Sequence, residues 1–363
     1  MEIKRKELLA VLQKCMPGVE TGNALLEGAD TFIFNGGRVY TYNDHISVAV
    51  PFQPEVPAEL VDVEPELSGA VKAKEFFALI NKLSGDVIKF AQGDGVWVIK
   101  AAGAKAELTL LGEGVMDRIK DLTTSAEWLA LPDNFLEGLS QCRFNANRSA
   151  LSGIVAKAGV MVSTDEMRIN YFQLTAPIGP FWIAQPAANE LVGIRGLKEY
   201  ALTESWAHFR AEDGLVFSCK RLAHDKFPFE KIEALVTAHE KAAGDMTSTL
   251  PKDLVPAVER AAALAMDIDS HDTVRLTFTP EYIEVFSQRS TGKYSEKVAW
   301  ETPPEGTAPP TALFVDHSMV SYGLKRSTSF YIKHSEKSGK AVNRLVFVGD
   351  CIKHLMSTFM PEQ

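Results

Sequence analysis

Cysteine is scarce in this chain, and the four residues, Cys15, Cys142, Cys219 and Cys351, stand far apart. None forms a Cys-x-x-Cys pair, which excludes a zinc ribbon or a dithiol redox motif. Each is expected in a core as a small apolar residue. Long apolar runs are also missing, and nothing approaches the ~20 residues that cross a bilayer as a helix. Met1-Glu2-Ile3-Lys4-Arg5-Lys6 has neither the apolar stretch nor the small-residue cleavage site of a secretory signal, so the expected location is the cytoplasm. The phosphate-cradling Gly-x-x-x-x-Gly-Lys-Ser/Thr loop is absent, and Ser338-Gly339-Lys340 is too short a fragment to stand for it. Gly-x-Ser-x-Gly and His-Glu-x-x-His are absent too. The histidines are dispersed, with His45, His271 and His317 not at metal-ligand spacing, and Thr164-Asp165 reads as a turn rather than a catalytic pair. Catalysis, a bound metal and a cofactor are therefore not expected. Positive charge is in deficit, with a formal net charge of −9. An evenly acidic surface repels nucleic acid, so DNA binding requires Lys and Arg gathered on one face.

What the chain does have is length, an ample apolar share and internal repetition. Its 363 residues, 46% apolar, suggest two or three domains. Three segments open with a short helix carrying an apolar doublet and a third apolar residue three positions on: Leu8-Leu9-x-x-Leu12, Phe135-Leu136-x-x-Leu139 and Leu254-Val255-x-x-Val258. Pro132 and Pro251 suit the first turns of the later two. A second amphipathic helix is expected in each segment, over 72–83, 187–200 and 316–327, marked by Phe76-Phe77, Leu191-Val192 and Met319-Val320. Strand pairs follow: 87–90 with 96–99, 206–210 with 215–218, and 330–332 with 345–348. Asp94-Gly95 and Asp213-Gly214 are good hairpin turns, and 333–340 reads as a polar loop. Further strands lie between the helices, at 31–34 with 46–50, 152–162 with 167–174, and 274–278 with 283–286. Linkers fall near 121–127 and 237–249, so the expected domains are 1–123, 124–245 and 246–363.

Val71-Lys72-Ala73-Lys74-Glu75-Phe76-Phe77, Leu151-Ser152-Gly153, Ser163-Thr164-Asp165-Glu166-Met167-Arg168-Ile169, Lys226-Phe227-Pro228, Arg260-Ala261-Ala262-Ala263-Leu264 and Phe359-Met360-Pro361 follow one another over nearly the whole chain. In order and spacing they resemble the β subunit of bacterial DNA polymerase III, the sliding-clamp family, of cellular or phage-borne origin. The resemblance implies an α+β DNA clamp fold: three repeated domains, each with two helices packed on antiparallel sheet, closing into a ring as a head-to-tail homodimer. It implies a processivity factor that encircles double-stranded DNA without sequence preference. Polymerase and clamp loader would be tethered through short peptides.

Sequence-independent sliding needs Lys and Arg on phosphates. The expected helices carry Lys6, Lys14, Lys72, Lys74, Lys82, Arg143, Arg148, Arg195, Lys198, Lys252, Arg260, Lys325 and Arg326, of which Arg148 matches a DNA-facing arginine of the family. In place of a basic residue the family often has after the first helix stands Thr21-Gly22-Asn23. Carried over by position, the peptide groove is lined by Leu151, Thr164, Met167, Ile169, Pro228, Ile232, Val342, Thr358 and Met360. Met167 replaces a common histidine and Thr358 an aliphatic residue, which implies an altered motif preference. Glu362-Gln363 departs from the family's basic, apolar tail. The subunit seam would pair the strand around Leu108 and Leu110 with Ala263 and Leu264 of a second copy; the small Ala263 implies a weaker dimer. Two other readings compete. One is an enzyme, against which the missing motifs speak. The other is a clamp-fold scaffold or decoy that does not encircle DNA, for which the acidity and altered groove leave room.

Overall fold

The computed structural model describes residues 1–22, 26–54, 67–117, 126–143, 151–243, 247–268, 271–300, 311–337 and 340–359. It contains two compact units: unit 1 is Met1–Leu131 with Pro186–Leu222, and unit 2 is Pro132–Gln185 with Ala223–Gln363. The segment between the two expected linkers contributes to both units.

The apolar doublets mark helices, as their spacing requires. The first helices of the repeats are α1 (Arg5–Cys15), α4 (Phe135–Cys142) and α7 (Leu254–Ala261). Leu8 and Leu12, Phe135 and Leu139, and Leu254 and Val258 are their buried positions. The second helices are α2 (Ala73–Lys82), α5 (Gln185–Val192) and α8 (His317–Leu324). A short α3 (Glu113–Asp117) and a long α6 (Phe229–Ala243) complete the described helices.

In unit 1, one sheet has the order β1 (Glu2–Lys4), β6 (Val87–Gly93), β7 (Val96–Ala101), β8 (Ala104–Thr109). The other runs β5 (Gly69–Lys72), β2 (Thr31–Asn35), β3 (Arg38–Tyr42), β4 (Ile46–Pro51), β16 (Val216–Lys220), β15 (Trp206–Ala211), β14 (Leu197–Leu202), β9 (Leu129–Ala130). Unit 2 has a sheet of the same plan: β13 (Phe181–Ile183), β10 (Ile154–Lys157), β11 (Val160–Thr164), β12 (Arg168–Gln173), β25 (Ile352–Ser357), β24 (Lys340–Val348), β23 (Ser329–Lys337), β17 (Ser248–Thr249). Its second sheet holds β22 (Thr311–Asp316), β19 (His271–Phe278), β20 (Tyr282–Arg289) and β21 (Gly292–Ala299), with β18 (Met266–Ile268) hairpinned onto β19.

Each repeat thus supplies two four-strand modules. The first modules are β5-β2-β3-β4, β13-β10-β11-β12 and β22-β19-β20-β21; the second are β1-β6-β7-β8, β9-β14-β15-β16 and β17-β23-β24-β25. A hydroxyl marks the same place in every repeat. Thr41 donates to the Cys15 carbonyl at 2.7 Å, Ser163 to the Cys142 carbonyl and Ser287 to the Ala261 carbonyl at 2.7 Å. Each satisfies a carbonyl that the end of a first helix leaves without an intrahelical partner.

Several expectations change. The helix expected over 187–200 ends at Val192, because Gly193 and the left-handed Gly196 (φ 71°) turn the chain into β14, so Lys198 is a strand residue. The stretch 152–162 is split by Ala158 and Gly159, both at positive φ, into a hairpin of β10 and β11. The loop expected at 333–340 is taken up by β23 and β24, which pair as far as Lys337 and Lys340. Part of the linker expected at 237–249 is the end of α6. Of the other, expected at 121–127, residues 121–125 lie outside the described residues. Cys15, Cys142 and Cys219 are core residues, but Cys351 is exposed in the turn before β25.

Candidate functional site

The basic residues expected to face DNA differ in what they touch. Lys14 pairs with Asp213 at 2.7 Å, Lys72 with Asp30 at 2.8 Å, Lys198 with Glu212 at 3.0 Å and Lys325 with Glu259 at 2.6 Å. Arg260 is clamped in a bidentate pair on Glu296 of β21, Nη2 to Oε1 at 2.7 Å and Nε to Oε2 at 3.0 Å, and also donates to Tyr294. These partners, Glu296 first, raise the pKa of Arg260 above the ordinary arginine value. Lys74, Lys82, Arg195 and Lys252 are exposed and make no ion pair among the described residues. Lys74 and Lys82 sit in the first and last turns of α2. Arg195 shares the wall of a cavity of about 400 Å³ in unit 1 with Lys14 and Gln13. Arg148 lies outside the described residues.

Arg143 and Arg326 meet around one tyrosine. The Tyr322 hydroxyl donates to the carbonyls of Gln141 and Arg143, at 2.7 and 2.9 Å, and so closes the carboxyl end of α4. The Arg326 guanidinium stacks on the Tyr322 ring at 3.7 Å, and Arg168 lies 5.7 Å from the same centroid. Burial is the main cause that pushes the Tyr322 phenol up to about 12, so it stays a donor.

The described residues of the expected groove all belong to unit 2, and Ile169 lies where β12 pairs with β25, opposite Leu355. Thr164 is 4% exposed, and its hydroxyl is used locally. It donates to the Arg168 carbonyl at 2.8 Å and accepts from the Glu166 amide at 3.1 Å. This ties a tight turn in which Glu166 takes φ 73°. Arg168 returns a short pair to Asp165 at 2.8 Å. The Met167 carbonyl accepts from the Ser357 amide at 2.8 Å, and its side chain packs on the unit 2 core. Leu151, Ile169, Pro228 and Thr358 are half-buried, and Ile232 is buried on α6. The side chains of Val342 and Met360 lie outside the described set.

Strand register explains the grouping. Directly opposed residues of antiparallel strands share a face. Thr164, Ile169, Leu355, Val346 and Tyr331 therefore form one row across β11, β12, β25, β24 and β23. The face they occupy is opposite to the one under α4 and α8, where Phe172 and Phe347 pack against Gly138 and Gly323. Helix α6 covers part of the outer face, joined to it by Glu230 on Lys157 at 2.7 Å and by Glu240 on Lys353. Val346, Leu355 and Tyr331 escaped the sequence reading. The alternation in Arg344–Val348 and Ile352–Ser357 carried the signal, but only the register shows which strands meet.

The matching junction in unit 1, β4 with β16, has the same register but different chemistry. In place of Ile169, Leu355 and Val346 stand Ser47, Ser218 and His208. His208 meets the Ser218 hydroxyl at 2.7 Å, and burial holds its pKa down at about 4. In this row polar groups replace the apolar ones of unit 2.

The seam residues lie at or beside two edges that have no partner among the described strands. Leu108 is in β8, the edge of its sheet, and Leu110 follows it and packs against Gly69. Ala263 is exposed, and Leu264 is half-buried beside Gly292 at the start of β21, the edge of the other sheet. Among the described residues no helix is long and apolar enough to cross a membrane, and no group of three His, Cys, Asp or Glu could hold a metal ion.

No family model and no curated protein matches the sequence. Solved structures do. The DNA polymerase sliding clamp of Bacillus subtilis superposes with a TM-score of 0.78 at 16% identity, covering 99% of both chains. The β subunit from the DNA polymerase of Streptococcus pyogenes gives 0.76 at 16% identity over 99% of both. The sliding clamp of Bartonella birtlesii, solved bound to griselimycin, gives 0.76 at 16% identity, again over 99% of both. The chain has the fold of the bacterial DNA polymerase III β sliding clamps along its whole length.

Proposed function

We propose that this chain is a DNA sliding clamp subunit, a non-catalytic processivity factor organised as three domains near 1–123, 124–245 and 246–363. Two copies close head to tail into a ring around duplex DNA, and the unit 2 groove tethers polymerase and loader peptides. The observation that carries the reading is the pairing of modules. Two first modules end in a partner from the next repeat, β4 on β16 and β12 on β25. The third first module ends at β21 and the first repeat's second module ends at β8, and neither edge has a partner among the described strands. A second copy supplies the missing junction, and such a head-to-tail contact closes when the rotation per subunit divides the circle.

In this reading the third junction repeats the register of the other two, with Ala106 opposite Tyr294, Glu107 opposite Lys293 and Leu108 opposite Gly292 of the second copy. Leu108 then meets Leu264, which flanks Gly292. Glu107 and Lys293 are opposite charges directly across, which favours this register over a slipped one. The dispersed bases suit the task, since phosphate contacts hold DNA without reading it. Those engaged in exposed ion pairs remain usable, because such pairs contribute about 0–1 kcal/mol and a phosphate can replace the carboxylate.

The ion-paired bases are also what favours the second reading, a clamp-fold scaffold that does not encircle DNA. Retention separates the two. The protein assembled on nicked circular plasmid should stay with it through gel filtration and be lost when the circle is cut. Indifference to cutting would leave the scaffold, and a failure to be retained on either form would also count against the ring.

A further inference from the structure

Beside the apolar row of unit 2 runs a second row on the same face. Lys333 of β23 is directly opposite Arg344 of β24, and Arg344 is directly opposite Ser357 of β25. The Ser357 amide is bonded to the Met167 carbonyl, so this row ends on the wall of the groove. Like charges directly opposite one another are destabilising in a sheet. Both cations are half-buried, and neither has an ion pair among the described residues.

Helix α6 neutralises other cations on this face. It sets Glu230 on Lys157 and Glu240 on Lys353. Facing Lys333 and Arg344 it presents His239 instead, 4% exposed, with no hydrogen-bond partner for Nδ1. Burial first, then Arg344 and Lys333, holds the His239 pKa below its ordinary value, so the imidazole stays neutral beside the two cations, and in neither form could it be their counter-anion. Two partly desolvated cations thus stand together beside the apolar row, with no anion paired to either among the described residues.

We propose that the groove takes extended peptides in which an apolar anchor is followed, two residues on, by an aspartate or glutamate bound by Lys333 and Arg344. The inference rests on the groove reading above. The spacing comes from the sheet: neighbouring rows on one face are two residues apart, about 7 Å, which an extended peptide matches with side chains i and i+2. A carboxylate suits the site because Arg344 can hold it in a bidentate fork while Lys333 adds a point charge. The row borders an apolar floor, which favours a peptide over a nucleic acid backbone.

The test uses the full-length protein and two labelled, carboxy-amidated peptides, so that the chain terminus carries no charge. Both have a Leu-Phe anchor; one has glutamates after it and its twin has glutamines. In anisotropy titrations at low salt the glutamate peptide should bind about tenfold more tightly, the worth of one charge-assisted bond. In the Lys333→Gln/Arg344→Gln protein that advantage should vanish while the glutamine twin binds as before. Removing a like-charge pair leaves the unfolding midpoint at or above the parent value. Ile169→Glu should abolish binding of both. Equal binding of the twins by the parent protein would overturn the cation assignment and leave the groove standing. Binding of neither would overturn the groove and this inference with it. Competition by duplex oligonucleotide that disappears in the double variant would reassign the pair to DNA.

Discussion

A single methyl group measures how tightly the helices sit. A Cβ at Gly323 of α8 would lie 2.4 Å from Phe347 Cδ2, in a core with no slack. Gly323→Ala should destabilise the protein by about 1–3 kcal/mol through overpacking, read as a lower denaturant midpoint at unchanged slope. Gly153 tells the same story about a motif. Its φ is 139°, and a Cβ there would meet the Ile183 carbonyl at 2.4 Å, so the glycine of Leu151-Ser152-Gly153 is dictated by backbone and close approach. Buried histidines set the pH response. His354 bonds Asn170 at 2.5 Å, and burial, then Arg326 and Arg168, push its pKa down to about 3; His208 lies near 4 through burial. Unfolded histidine takes up its proton near pH 6.5, so unfolding binds protons below that pH and acid favours it. Stability should fall as pH drops from about 6.5 towards 4, by up to ~1.4 kcal/mol per unit for each of these histidines. Urea unfolding at pH 7 and pH 5 should show a smaller loss in His354→Gln than in the parent. Neither shift was legible beforehand, because burial of a histidine depends on which strands cover it.

Helices and strands were legible where one residue pattern decided them. The doublets at Leu8-Leu9, Phe135-Leu136 and Leu254-Val255 became first helices, and Gly95 and Gly214 took the positive φ of their Asp-Gly turns, 69° and 81°. The reading erred where tertiary pairing overrode local pattern. The helix expected over 187–200 included Leu197–Tyr200, yet β15 and β9 take these residues as a strand. Helix α6 was not expected at all, and its end was read as part of the linker 237–249, because its charged face resembles one; its carboxylates pair with lysines far away in sequence. Tyr322 joins elements in a way no spacing reveals, since its hydroxyl closes α4 from a position 181 residues away from Gln141. Tyr322→Phe leaves those carbonyls short of a donor and should cost about 1–2 kcal/mol. Hydrogen exchange should report faster opening at the end of α4, and an unchanged rate would dismiss the capping role.

At the scale of the whole molecule the prediction concerns assembly. Sedimentation should give a species of twice the 39.9 kDa chain mass. Leu264→Lys places a charge where Leu108 of the second copy would pack, and should yield monomers. Glu107→Lys should weaken the dimer more than its exposure suggests, and adding Lys293→Glu should restore much of it. Restoration tests the register, because a slipped pairing gives no compensation.

Three repeats, an α+β plan, the absence of catalytic motifs and the likeness to a clamp were all decided by the sequence, because they rest on local periodicity and motif order. Which strands meet across repeats was not, since pairing between Arg168 and Met356 leaves no mark on either segment alone. Tertiary structure alone made the row across the β12–β25 junction apolar and the matching row across β4–β16 polar. It also set Lys333 against Arg344 and left the outer edges of β8 and β21 without a partner among the described strands. The reason is physical: a periodic pattern specifies which face of a segment is buried, and only the register specifies against what.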